Sequence, residues 1–270
     1  MKNLFLFCVT IVTLLFSVGV SSALDLDFGQ TVIQVPDTHD STPYLWQVRK
    51  NPSNYQAKIT SVPDKNAYLL KFSPQPAQGA GGVDLFLTDK HLKSFIHPTL
   101  QQQDDGGYLF SAPLQDRETY QAEIIFKDGS GWVNLSQKFT ATVSGALNDK
   151  EDGGQAGYEV QIKQFPDKAY ATHTVTFVFE VRKDGKIVED LEPVNGAKIR
   201  VAAWRQGSWF SSAGDFIYAD SQGNESNSEA AVSLVFGESG KHRVFAEYRH
   251  QGVTRWISKE IDYVLLEPTQ

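Results

Sequence analysis

One pattern of eleven residues occurs twice, and no other feature restricts the fold as much. Tyr55-Gln-Ala-Lys-Ile59-Thr-Ser-Val-Pro63-Asp64-Lys65 recurs as Tyr158-Glu-Val-Gln-Ile162-Lys-Gln-Phe-Pro166-Asp167-Lys168, with five identities and no gap. Self-similarity at this spacing is the mark of a duplicated structural unit. Towards the other end of each unit, Tyr120, Ala122, Ile124 and Phe126 match His242, Val244, Ala246 and Tyr248. Beyond them, Trp132, Val133 and Phe139 match Trp256, Ile257 and Tyr263 if the second copy has a turn two residues longer. Copies of about 90 and about 110 residues are each long enough for an independent sandwich.

Within each copy the apolar residues alternate. Val175, Phe177, Phe179 and Val181 share one face of a strand, and Lys183-Asp184-Gly185-Lys186 then supplies a hairpin turn. No long window has a helical period. The expected fold is therefore all-β: two tandem immunoglobulin-like antiparallel β-sandwich domains. Residues 24–145 make the first, with an N-terminal extension over 24–53 that has no counterpart in the second. In that extension Thr31-Val-Ile-Gln-Val35 and Tyr44-Leu-Trp-Gln-Val48 read as strands. Residues 146–156, rich in Gly and charge, are a linker, and 157–270 make the second domain.

Ahead of the repeats, Lys2, an apolar run from Leu4 to Val20 and Ser21-Ser22-Ala23 have the layout of a secretory signal over residues 1–23. Its removal also takes Cys8 and Met1, which are the only sulfur residues in the chain. Disulfides, thiolate metal sites, a cysteine nucleophile and a thioether copper site are thereby excluded from the mature protein. The formal charge of −7 becomes −8 because Lys2 leaves as well. That acidic balance excludes nucleic acid as a natural partner and disfavours anionic lipid. A periplasmic or secreted protein with no stable membrane insertion after cleavage is expected.

The second copy carries Asp190-Leu191-Glu192-Pro193-Val-Asn-Gly196-Ala197 and later Gly240-Lys-His-Arg-Val-Phe245-Ala-Glu-Tyr248. In this order they resemble the YtkA-like family of secreted immunoglobulin-like domains. The resemblance implies the sandwich fold. It also implies metal contact through a His after the Gly-Ala pair and an H-x-H-P loop. Here Lys198-Ile199-Arg200 follows Ala197, and the loop Phe210–Tyr218 has no His. The first copy keeps Phe95-Ile96-His97-Pro98, with His91 upstream.

His91 and His97, with His39 or an aspartate such as Asp89 or Asp104 as a third ligand, are thus the candidate site for Cu(II) or Zn. They could meet only if Leu92–Ile96 folds back, and that segment has no Gly or Pro. The two histidines are therefore expected to lie apart with no cofactor bound, and His97→Ala to leave stability nearly unchanged. Asn148-Asp149-Lys150-Glu151-Asp152-Gly153 resembles a calcium loop, but Lys150 would repel the ion from a ligand position. No G-x-S-x-G elbow, H-E-x-x-H, Walker loop or G-x-G-x-x-G occurs.

The parity of the second copy singles out another group. With Ile199, Val201 and Ala203 facing the core, Arg200, Ala202 and Trp204 face outward. With Ile257, Ile261 and Tyr263 inward, Trp256 also faces outward. Trp204, Trp256 and Arg200 are candidate interface residues for another envelope protein or a glycan, or for packing against the other repeat. Sequons stand at Asn134 and Asn224. The function expected is a non-enzymatic exported binding module. Alternatives are a periplasmic metal-handling protein of the YtkA-like kind and a degenerate sandwich enzyme.

Overall fold

The computed structural model describes residues 25–28, 31–34, 49–50, 54–76, 82–128, 131–142, 157–207, 216–221 and 229–266. The expected signal, His39, the 44–48 strand, the linker over 146–156 and Asn224 lie outside the described residues. The chain divides into two compact units, Met1–Pro43 and Tyr44–Gln270. The first contains an antiparallel hairpin of β1 (Asp25–Phe28) and β2 (Thr31–Gln34). Both repeats belong to the second unit, joined by β3 (Arg49–Lys50) from the N-terminal extension.

The protein is an all-β sandwich protein. In the first repeat, β4 (Gln56–Val62), β5 (Ala67–Ser73), β8 (Tyr108–Phe110) and β7 (Gln101–Gln102) form one sheet. The other consists of β6 (Val83–Asp89), β9 (Thr119–Asp128) and β10 (Gly131–Thr140), with β3 running parallel along β10. In the second repeat, β11 (Tyr158–Phe165), β12 (Thr174–Lys183), β13 (Lys186–Ile187) and β16 (Ala230–Val235) make one sheet. The other runs β15 (Phe216–Asp220), β14 (Ile199–Arg205), β17 (Gly240–His250) and β18 (Val253–Val264).

Each repeat has its own core. Leu70, Leu85, Ile124 and Phe126 fill the first, and Val175, Phe177, Val201 and Val232 the second. The alternation read along β12 is observed: Val175, Phe177, Phe179 and Val181 all lie in that core. Asp184 and Gly185 make the two-residue turn to β13, both with positive φ (50° and 77°). This is the tight hairpin turn for which an Asp-Gly pair is suited. Pro63 and Pro166 each follow the last residue of the repeat's first strand.

Two details of the expected alignment change. The β9–β10 and β17–β18 hairpins have loops of equal length, because Asp128 pairs with Gly131 and His250 with Val253. The presumed longer turn is absent. Trp132, opposite Lys127, is two positions out of step with Trp256, opposite Glu247. Shifts of two preserve strand parity, so the slip left no trace in the apolar pattern. Tyr263, expected in the core, is 58% exposed, whereas Val264 is buried. The register shifts between Gly240 and His242, and this bulge reverses the parity of the end of β18.

Candidate functional site: the seam between the sandwiches

Two strands of the first repeat and three of the second carry large side chains on the face turned away from their own core. Phe86 on β6 and Ile125 on β9, with Leu92 and Phe95 from the loop after β6, form one patch with Ala202 and Trp204 on β14, Tyr218 on β15 and Phe245 on β17. Phe95 stacks on Phe245 at 5.1 Å between ring centroids. It meets Trp204 edge-on at 6.2 Å and Trp256 at 6.0 Å. Phe86 lies 5.2 Å from Tyr218. The two sandwiches therefore share an aromatic seam, and Trp204 is fully buried in it.

The outward parity of Arg200, Trp204 and Trp256 is correct, but Arg200, 3% exposed, and Trp204, 0%, are covered by the first repeat. These two, expected as docking residues for another protein or a glycan, have an intramolecular role instead. Trp256 is half-buried at the edge of the same patch.

The loop that delivers Phe95 also corrects an expectation. Leu87 and Ile96 exchange backbone hydrogen bonds of 2.8 and 3.0 Å, so the chain between them folds back on itself. Without Gly or Pro, the turn is made by Asp89. Its carboxylate accepts the backbone N–H groups of His91 (2.6 Å), Lys93 (3.1 Å) and Ser94 (2.6 Å). Leu92 takes a positive φ of 54°. A short acidic side chain satisfying local N–H groups can substitute for glycine in this way.

This fold-back gives the two candidate histidines different surroundings. His91 is exposed at the loop. His97 enters the seam, where its ring lies 4.5 Å from that of Phe86. Nδ1 of His97 is 2.8 Å from Glu247 Oε2, across the seam, and Nε2 is 3.4 Å from Asp84 Oδ1. Burial alone would lower its pKa, but Asp84 and Glu247 outweigh burial and raise it to about 9. His97 is thus an imidazolium with both nitrogens turned to carboxylates. A metal ligand needs the neutral ring's lone pair. Among the described residues no group of three His, Cys, Asp or Glu side chains is placed to hold a metal. Removal of His97 would strand two buried carboxylates, so the expectation of an inert His97→Ala is withdrawn.

Asp84 ties the same cluster to the second sandwich. Its Oδ2 accepts from Arg200 Nη2 at 2.7 Å, and Oδ1 accepts from Asn195 Nδ2 at 3.2 Å. Arg200 Nε reaches Asp220 Oδ1 at 3.1 Å, and its guanidinium also donates to the Tyr218 hydroxyl. That hydroxyl donates in turn to Asp220 at 2.6 Å. Burial works to raise the Asp84 pKa, yet His97 and Arg200 together hold it well below the usual carboxylate range.

A second polar site lies in the seam around Glu123 on β9, 1% exposed. Its Oε1 accepts from Gln121 Nε2 (2.6 Å) and Ser136 Oγ (2.9 Å). Asn134, the first sequon, is a buried neighbour at 7% exposure and is closed to a glycan in the folded chain.

Sequence reading missed Asp84, Glu123, Phe86, Phe95, Tyr218 and Glu247. A usable signal existed. Val83–Asp89 and Val244–Tyr248 carry large apolar residues on both faces, as strands covered on two sides do.

No known family matches the chain, and no curated protein does. Solved structures that the chain matches include the titin A168169 fragment (11% identical, TM-score 0.20, spanning 74% of this chain and 89% of that one). Another is a two-domain fibronectin type III segment of chicken tenascin (13%, 0.24, 77% and 97%). The D00-D0 domain of intimin is a third (15%, 0.24, 82% and 96%).

Proposed function

We propose that the chain is a non-enzymatic exported binding module of the cell envelope or extracellular space. The seam fixes its two sandwiches as one body, and a protein or glycan is met by loops and sheet faces turned away from the seam. The observation that carries this reading is the commitment of His97, Arg200, Asp84, Glu247 and Trp204 to contacts between the sandwiches. These are the groups from which a metal or catalytic site would otherwise be drawn. Export rests on the N-terminal pattern of residues 1–23. No helix among the described residues is long and apolar enough to cross a membrane.

Metal handling of the YtkA-like kind loses its lead ligand to the seam. The deciding experiment is elemental analysis of the purified exported chain followed by titration with copper and zinc. The binding-module reading expects no stoichiometric metal. Tight one-to-one binding that is lost in His91→Ala or His97→Ala would replace it with metal handling. Mass spectrometry of the same material checks export: the chain should begin at Leu24, and a full-length membrane-retained form would refute cleavage.

A further inference from the structure

β18 is the longest of the described strands, 12 residues from Val253 to Val264, and it stands at the edge of its sheet. The two-residue turn before it pairs His250 with Val253. From that closing pair, hydrogen-bonded and open positions alternate along the hairpin. Ile257, Lys259 and Ile261 therefore bond back to β17, while Ser258 and Glu260 turn their backbone N–H and C=O groups outward. Among the described residues no strand lies along this stretch on its outer side. The next pairing along the chain is at Leu265, whose N–H donates to Ala169 O and whose carbonyl accepts from Ala171 N. In the first repeat the equivalent edge already carries an added strand, since β3 lies parallel along β10.

Open strand edges invite any extended chain, and proteins guard them with charged side chains aimed inward. Lys259 is such a guard. It shares the core side of β18 with Ile257 and Ile261, and its Nζ lies 5.7 Å from the centroid of the Phe177 ring. Burial, with no counter-charge beside it among the described residues, lowers its pKa. Glu260 is turned to the other face, where Arg243 holds it at 3.3 Å. A guard of this kind selects as well as excludes. An apolar neighbour strand would bury the ammonium further, and a basic one would set a like charge beside it. A carboxylate on the added strand would supply the missing counter-charge. We propose that the Ile257–Asp262 edge of β18 binds an extended acidic segment of a partner protein by strand addition, with an Asp or Glu of that segment paired to Lys259. Main-chain bonds to Ser258 and Glu260 give the affinity, and Lys259 gives the choice of partner.

At roughly 3.3 Å per residue this stretch is about 20 Å long, the length of an ordinary strand. The other face of an added strand would run at the border of the aromatic patch, where Trp256 is half-buried. That border suits apolar side chains alternating with the acidic ones. A second copy of the chain is a poorer occupant. Two β18 edges meeting about a two-fold axis at this stretch would bring Lys259 near its own counterpart, and like charges disfavour that pairing. The inference rests on the binding-module reading and narrows it, from a protein or glycan to a protein met at one sheet edge.

The test uses the full chain and a synthetic peptide of about eight residues in which glutamate alternates with valine, beside a control with lysine for glutamate. On adding the acidic peptide, hydrogen exchange should slow at the Ser258 and Glu260 amides. Ile257, Lys259 and Ile261, already bonded to β17, should change little. Calorimetry should favour the acidic peptide over the basic one by at least about tenfold. Lys259→Glu should reverse that preference. Ser258→Pro removes an outward N–H and should weaken the acidic peptide by at least about tenfold. If the proline variant does not fold, the exchange pattern and the Lys259→Glu reversal still decide. No binding at about 1 mM peptide, equal affinity for the two peptides, or slowed exchange only at other strands would overturn the proposal. So would slowing at Ser258 and Glu260 without peptide that grows with protein concentration, the mark of a second copy at this edge. Failure here with no metal bound leaves the binding-module reading standing, whereas one-to-one copper or zinc would remove that reading whatever the peptides do.

Discussion

Two polar sites in one seam solve the problem of burial in opposite ways. Around Asp84, charge is matched by charge: Arg200 and His97 cross from or towards the other repeat, and Asp220 and Glu247 complete the balance. Around Glu123, a carboxyl is surrounded by amides, a hydroxyl and an indole, with burial as the dominant influence. Paired charges can remain ionised in a low-dielectric site, whereas a carboxyl with neutral neighbours is driven to its neutral form. The difference shows that burial alone does not decide charge state; the number of opposite charges within reach does. Asp84 is consequently held low and Glu123 high.

The largest effect expected from this contrast is at the charged site. Asp84→Asn leaves Arg200 and His97 cationic in the seam with one carboxylate fewer. Breaking a buried ion pair by removing one partner typically costs about 3–5 kcal/mol, and urea unfolding of the full chain should show a loss of that order. A loss below about 1 kcal/mol would mean that solvent enters the site, and the contrast with Glu123 would collapse.

Next comes the pH dependence of the same cluster. His97 is raised from 6.5 to about 9, so its contribution is complete below about 6.5 and is lost as pH climbs through about 9. The difference is on the order of 3 kcal/mol, read as a falling unfolding free energy between those limits. His97→Gln should flatten that part of the curve. Asp84 has the opposite sign: its contribution is present above its ordinary 3.8 and falls away only in stronger acid.

How far these sites could be read from the sequence depended on what kind of pattern carries them. The sandwiches were legible because alternation along strands such as Thr174–Lys183 records a buried face directly. The parity of Arg200, Trp204 and Trp256 was legible for the same reason. Which surface covered them was not, because that depends on two sheets meeting across positions far apart in the chain. The loop from Asp89 to Ile96 was misread because its turn is made by a side chain instead of by Gly or Pro. That reading yields a prediction of its own. Asp89→Ala frees three backbone N–H groups at the loop that delivers Phe95 to the aromatic patch and His97 to the charged site. Loss of about 1–2 kcal/mol is expected, since part of the loop is solvated. Hydrogen exchange should rise at His91, Lys93 and Ser94 first. Unchanged protection there would mean the fold-back is held by Phe95 packing alone.

The smallest effect sharpens the comparison most, because it repeats the first substitution's chemistry at the other site. Glu123→Gln, like Asp84→Asn, exchanges a carboxyl for an amide of nearly the same shape. At Asp84 the exchange removes a charge that two cations need. At Glu123, at about pH 6, the group is already neutral and little charge is removed. The amide carbonyl can still accept from Gln121 and Ser136, and the amide N–H can donate to Asn134 Oδ1. The Trp204 indole N–H then remains the only group left waiting. The expected cost is under about 1 kcal/mol, at the scale of one imperfect neutral hydrogen bond. Raising the pH should reverse the order of stability, since wild-type Glu123 then ionises in the seam and the amide does not. Calorimetric melts of both proteins from about pH 4.5 to about pH 7, the range over which the wild-type contribution is lost, would show the curves crossing. A variant that is several kcal/mol weaker at pH 6 would mean that Glu123 is ionised and paired like Asp84, and the two sites would have to be described by one rule.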